Sequence, residues 1–219
     1  MATILCLETA TTNCSVAIAV DGEIKAIREE NNQKYSHAEK LHVFIDEVLK
    51  EAKIDKKNLD AVAVSKGPGS YTGLRIGVSA AKGLCFAMDI PLISTLTLEV
   101  LAQQVQCEDC FIIPLLDARR MEVYSAVFNS EKKQIRETKA EILNENSFTD
   151  YLKNGKTIFI GDGAVKFEAI CKNENAIFQN DAFPTSADMV LLAEAKYKIS
   201  DTENVAYFEP FYLKEFILG

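Results

Sequence analysis

The order in which strand and helix signals follow one another is what most constrains this chain. "TILCLET" is a short apolar run that reads as a buried strand, "CSVAIAV" is a second, and "EIKAIREE" alternates as a third. Asp21-Gly22 between the last two is a strong hairpin signal. "SHAEKLHVFIDEVLKEA" then carries a capping box, Ser36 with Glu39, and places Leu41, Phe44, Ile45, Val48 and Leu49 on one helical face. "LDAVAVS" has the continuous apolar centre of a strand buried on both sides. A helix to about Met88, the strand "IPLIST" and the helix "TLEVLAQQV" complete the order βββαβαβα. The second half repeats it: strands "FIIPLLDA", "EVYSAVFN" and "QIRETKAEIL", helix "SFTDYLKN", strand "TIFIGDG", helix "VKFEAICK", strand "AIFQ" and the long helix "SADMVLLAEAKYKI". The halves share element order and negligible sequence identity.

A meander feeding right-handed crossovers predicts a mixed five-stranded sheet flanked by helices, twice over. The expected fold class is therefore α/β, a tandem duplication of a ribonuclease-H-like unit as in the actin-like (ASKHA) ATPases. The expected domains are residues 1–106 and 107–219, with the last long helix free to pack back on the first unit. In that fold family a nucleotide sits in the cleft between the units, but fold alone does not grant the activity.

The stretch "SKGPGSYTGLRIG" (Ser65 to Gly77) lies where the fourth strand hands over to a helix. It fails both phosphate-loop patterns. No Lys follows its glycines as in GxxxxGK[ST], and Gly73 comes one place late for GxGxxG. Packing is the alternative: Gly67-Pro68-Gly69 makes a stiff turn and Ser70 or Thr72 caps the helix. Gly73, Gly77 and Ala80 or Ala81 then form a ridge of small residues. A helical glycine costs about 0.5–1 kcal/mol against alanine, so two of them call for close approach by another element. Either the ridge packs on this chain's own sheet or first helix, or the first two helices present it to another protein. On the second reading the interface comprises His37, Leu41, Gly73, Leu74, Gly77, Val78 and Ala81.

Catalysis would have to come from the loops between the first two strands of each half: Glu8 and Thr9 in "ETATTN", Asp117 and Arg119 in "DARRME". Actin-like ATPases carry Asp-x-Gly there, so that a carboxylate handles magnesium or water and backbone N–H groups meet phosphate. Neither loop has the glycine. With Gly161 and Gly163 of "GDGA" these residues make a candidate vestigial nucleotide cleft. The competing reading gives Asp117, Arg119 and Arg120 to structural ion pairs. His37 and His42 fall roughly 140° apart on their helix, a poor metal pair. Cys107 and Cys110 have CxxC spacing but no second pair, and Glu108 and Asp109 between them oppose a thiolate, so they read as incidental thiols.

With 24 basic against 32 acidic residues, net charge −8, and no Lys/Arg cluster longer than "KK", nucleic-acid binding by this chain alone is not expected. No apolar run approaches the ~20 residues needed to span a bilayer, and "MATILCLETA" lacks the features of a signal peptide. The cytoplasm is the expected location, with no membrane partner.

"LETATTNCSVAI", "SHAEKL", "SKGPGSYTGLRIGVSAAKGL", "DARRMEVYSA" and the final "EPFYLKE" together resemble the TsaB (YeaZ) family over nearly the whole chain. Ala38 stands in "SHAEKL" where that family commonly has Ser. The resemblance implies a part in making threonylcarbamoyl-adenosine beside the anticodon of ANN-reading tRNAs. It implies an accessory, non-catalytic subunit that dimerises with the catalytic paralogue TsaD, joined by the small ATPase TsaE. ATP, metal and threonylcarbamoyl-AMP would sit on the partner, leaving no cofactor for this chain. It implies homodimers through the first two helices, and tRNA met only through the complex. The alternative is an independent actin-like ATPase or acyl kinase using Glu8 and Asp117. Without a metal pair or nucleophile, protease activity is not supported.

Overall fold

The computed structural model describes residues 1–31 and 37–214. The first half forms strands β1 (Thr3–Glu8), β2 (Cys14–Val20) and β3 (Glu23–Glu30), helix α1 (His37–Ala52), strand β4 (Ala61–Gly67), helix α2 (Tyr71–Met88), strand β5 (Leu92–Leu96) and helix α3 (Thr97–Ala102). The second half forms β6 (Phe111–Asp117), β7 (Glu122–Phe128), β8 (Gln134–Ile142), α4 (Thr149–Asn154), β9 (Thr157–Ile160), α5 (Ala164–Glu168), β10 (Ala176–Gln179) and α6 (Ser186–Lys198). This is the predicted βββαβαβα order in both halves. Asp21 and Gly22 both take positive φ, as the hairpin reading requires. The capping serine expected at Ser36 lies outside the described residues.

Each sheet has five strands. The orders are β3-β2-β1-β4-β5 and β10-β9-β6-β7-β8. In each, the hairpin-linked strands pair antiparallel and the crossover strands pair parallel. That is the ribonuclease-H-like arrangement, present twice.

Met1–Val100 together with the chain from Pro184 onward form one compact unit, and Leu101–Phe183 form the other. This differs from a division at 106/107. The reason is visible in the pleat of the first sheet, whose two faces carry side chains of different size. Leu5, Leu7, Val16, Ile18, Val62 and Val64 point to one side, where α1 and α2 cover them with Leu41, Phe44, Ile45, Val48, Val78 and Ala81. Cys6, Ala17, Ala19, Ala61 and Ala63 point to the other. This shallow face receives α6 through Met189, Val190 and Ala193. A helix on each face follows from strands that are apolar throughout.

Beyond α6 the chain returns along the same unit. The Glu203 amide donates to the Leu92 carbonyl (2.8 Å) and the Phe211 amide to the Lys66 carbonyl (2.7 Å). Phe208 enters the core, and Lys82 Nζ donates to its carbonyl (2.8 Å). The second unit has its own core, in which Phe148, Phe159 and Phe167 meet edge-on or tilted at 4.8–5.4 Å between centroids.

Cys107 and Cys110 form a disulfide, which corrects the reading of two incidental thiols. The bend between α3 and β6 sets their Cα atoms 6.2 Å apart, within disulfide range. Burial pushes the thiols of Cys6 and Cys14 up to about 12 and that of Cys85 up to about 11. Among the described residues no helix is long and apolar enough to cross a membrane.

Candidate functional site

In the first unit the chemistry-bearing residues converge on the turn that follows β1. Helix α2 is capped at its start by Ser70, whose hydroxyl accepts from the Gly73 amide (3.3 Å), and at its end by Asp89 in the left-handed region. Its first turns sit directly on the segment Thr9–Ala10. A Cβ on Gly69 would meet the Ala10 carbonyl, one on Gly73 the Thr9 carbonyl, and one on Gly77 the Thr9 hydroxyl, all inside van der Waals contact. The glycines therefore admit this chain's own backbone. The ridge faces inward, and the contact is reinforced by two hydrogen bonds: Thr9 Oγ1 donates to the Gly73 carbonyl (2.8 Å), and the Ser70 amide to the Ala10 carbonyl (2.7 Å).

Glu8 lies beneath this contact and is fully buried, with 0% of its surface exposed. One carboxylate oxygen accepts from the Ala10 amide (2.7 Å) and the other from the Ser65 hydroxyl. Burial drives its pKa up to about 7, opposed by those hydrogen bonds. His37, 1% exposed, closes the turn from α1: its Nε2–H donates to the Thr11 carbonyl (2.7 Å), and burial lowers its pKa. The Asn13 side chain donates to the Pro184 carbonyl (3.1 Å). A phosphate or magnesium site needs a carboxylate that reaches water and amides that point outward. Glu8 does neither, and the Ala10 amide is already committed to it. Glu8 and Thr9 do not fit a nucleotide's phosphates.

In the second unit Asp117, at the end of β6, pairs with Lys166 of α5 (2.8 Å) rather than with an arginine. Its own amide donates to Asp162 (2.9 Å), whose pKa burial raises. Gly161, at φ 118°, and Gly163 bring the turn after β9 against Leu115 and Leu116 of β6. They serve packing, as Gly73 and Gly77 do in the first unit. Arg119 and Arg120 are exposed at the β6–β7 hairpin. The ion pairs expected for them are absent among the described residues. Nor do those residues hold a cluster of three or more His, Cys, Asp or Glu suited to a metal. His37 is buried and His42 exposed, as their angular separation implies.

The seven residues expected at a partner surface, His37, Leu41, Gly73, Leu74, Gly77, Val78 and Ala81, are all buried in this chain. They support the two helices from beneath. The surface of α2 is made instead by Thr72, Arg75, Ser79, Gly83, Phe86 and Ala87. Phe86 is 84% exposed, and a Cβ on Gly83 would meet open space. Beside them runs a groove of about 630 Å³ lined by Lys82, Gly83, Phe86, Asn204, Val205 and Ala206. On α1, Val43 is exposed. Ser65 and Thr11 lie in the stretches "SKGPGSYTGLRIG" and "ETATTN" without a role there, and Lys166 has no motif to mark it; only their tertiary partners give them roles.

The family model for TsaD, tRNA N6-adenosine threonylcarbamoyltransferase, matches residues 28–215. The tRNA threonylcarbamoyladenosine biosynthesis protein TsaB of Haemophilus influenzae is 31% identical over 225 residues, covering 97% of this chain and 93% of that protein. The Escherichia coli TsaB is 28% identical over 222 residues, with 96% and 94% covered. The structure of YeaZ from Pseudomonas aeruginosa superposes with a TM-score of 0.84 at 26% identity, covering 97% of this chain and all (100%) of that one. A tRNA N6-adenosine threonylcarbamoyltransferase of Bacillus thuringiensis is 36% identical over 105 residues, 41% of this chain and 31% of that protein.

Proposed function

From the fact that the chain belongs to the TsaD family, and within it to the TsaB (YeaZ) proteins of tRNA threonylcarbamoyladenosine biosynthesis, we propose that it is the non-catalytic subunit of that pathway's transferase. It acts by docking on a catalytic paralogue of the TsaD type, which holds the metal, nucleotide and threonylcarbamoyl-AMP. A TsaE-type ATPase joins the pair, and tRNA is modified by the assembly. The observation that carries this reading is the state of Glu8. The carboxylate that a hydrolase of this architecture would use is sealed from water, and α2 occupies the space beside it. A group with no access to magnesium or an attacking water cannot assist phosphoryl transfer.

Docking falls to the outer faces of α1 and α2, centred on Phe86. An aromatic this exposed, next to an open glycine and an apolar groove, is the kind of anchor around which interfaces concentrate their energy. In the absence of the paralogue the same face pairs two copies of this chain.

The test is reconstitution. The isolated chain turns over no ATP and modifies no tRNA, and addition of the paralogue and the ATPase restores modification. Phe86→Glu leaves the isolated fold intact and abolishes co-elution with the paralogue. Magnesium-dependent ATP turnover by the chain alone, lost in Asp117→Asn, would instead establish an independent ATPase.

A further inference from the structure

We propose that the tip of the β6–β7 hairpin contacts the phosphodiester backbone of tRNA, with Arg119 and Arg120 as the phosphate ligands; this rests on the tRNA-modification reading above. The first observation is conformational. Arg119 and Arg120 take φ of 71° and 50° in succession. Positive φ is uncommon for residues with a Cβ, and hairpin tips that need it ordinarily use Gly, Asn or Asp. Two adjacent arginines at such positions oppose the local preference, and strain of this kind persists where function requires the side chain.

The second observation is electrostatic. Both side chains are exposed, and among the described residues neither has a carboxylate within ion-pair distance. Asp117, two residues before Arg119, is committed elsewhere. Its Oδ1 takes the Lys166 ammonium (2.8 Å) and the Arg119 amide (2.6 Å). Asp117 is thereby occupied, and neither guanidinium has an ion-pair partner among the described residues. Nothing in the packing of the second unit uses them.

The third observation is that the tip is held in shape. The Ala118 amide donates to the Glu122 carbonyl (3.0 Å) and the Glu122 amide to the Arg119 carbonyl (3.1 Å). With the Asp117 bond to the Arg119 amide, the backbone of the turn is closed from both strands. Two planar guanidinium forks on a fixed turn match the bidentate geometry of phosphate oxygens. The chain as a whole carries −8, so it has no general attraction for polyanions. The contact is local and operates once the assembly brings RNA to the tip.

The experiment uses the chain reconstituted with its TsaD-type and TsaE-type partners and a fluorescent unmodified tRNA, with anisotropy measured across a sodium chloride series. Arg119→Gly/Arg120→Gly relieves the positive φ, so the isolated chain keeps or raises its Tm and co-elutes normally with the paralogue. Its complex binds tRNA about tenfold more weakly near 0.1 M salt, and the slope of log affinity against log salt falls by about 1.4 to 1.8, the value for two lost phosphate contacts. Arg119→Lys/Arg120→Lys keeps that slope. Unchanged affinity and slope in a complex that still modifies tRNA would overturn the contact and leave the functional reading standing. Loss of co-elution in the glycine pair would make the tip a protein contact and overturn it equally. A wild-type complex that neither binds nor modifies tRNA would overturn both.

Discussion

Adding one methyl group at Gly77 tests whether the small-residue ridge of α2 packs inward. In Gly77→Ala the new Cβ falls inside van der Waals contact of the Thr9 hydroxyl, with Thr9 Cβ and Cγ2 at 3.4 Å. Thr9 is fully buried and β-branched, so it has little room to rotate away. Overpacking of this kind costs about 1–3 kcal/mol. Displacing the hydroxyl also weakens its bond to the Gly73 carbonyl, about 1 kcal/mol more. Alanine in a helix returns about 0.5–1 kcal/mol. The net expectation is a destabilisation of about 2 kcal/mol, read by urea denaturation followed by circular dichroism at several protein concentrations. Thr9→Ala alone costs about 1 kcal/mol through the lost hydrogen bond. The double variant loses the clash along with the hydroxyl and sits close to Thr9→Ala, a favourable coupling of about 2 kcal/mol. Gly73→Ala is the control, because its Cβ meets the Thr9 backbone carbonyl, which Thr9→Ala does not remove. Its coupling to Thr9→Ala is at most about 1 kcal/mol, from the Thr9–Gly73 hydrogen bond that both changes disturb. A Gly77→Ala variant as stable as the parent, or a Thr9→Ala that rescues Gly73→Ala equally well, would refute the inward-facing ridge. Gly77 lies on the buried side of α2, away from the face that pairs two copies, so parent and variant midpoints shift equally with protein concentration.

Glu8 gives a pH signature. Its folded pKa of about 7 lies above the ordinary 4.5, so its contribution to stability is complete below about pH 4.5 and is lost as pH rises through 7. Glu8→Gln removes that dependence; at about 1.4 kcal/mol per pH unit between the two values, it gains at most ~3 kcal/mol on the parent at pH 8. Equal pH–stability curves for the two proteins would contradict the burial of a titrating carboxylate. Gly67, at φ 119° with the Phe211 carbonyl 2.6 Å from its would-be Cβ, tolerates alanine poorly. Gly67→Ala costs about 2 kcal/mol or more in the same denaturation assay and detaches the C-terminal segment, seen as new proteolytic cleavage there. Native alkylation without reductant leaves Cys6, Cys14 and Cys85 unmodified because burial holds their thiols protonated, and Cys107 and Cys110 label only after reduction. Mass mapping that finds Cys107 labelled from the start would disprove the disulfide.

What the sequence by itself determined is everything whose cause is local. Period-two and period-3.6 patterns set the element order of both halves. Asp21-Gly22 set a hairpin, and the choice of Ser70 or Thr72 as cap bounded the start of α2, whose cap is Ser70. The failure of both phosphate-loop spacings, and the missing glycines beside Glu8 and Asp117, already argued against a working nucleotide site. Tertiary structure alone decided which neighbour each of these residues meets. Gly73 and Gly77 lie more than sixty residues from Thr9, as the Thr9–Gly73 bond at a separation of 64 shows, so no local pattern could tell an inward ridge from an outward one. The placement of α6 on the first sheet depends on alanines in β2 and β4, far away in the chain. Whether Asp117 pairs with Arg119 or with Lys166 depends on a helix 49 residues on. Helical and strand signals are properties of a few consecutive residues. Burial and charge pairing are properties of two surfaces brought together, and the chain records them only through the fold that joins them.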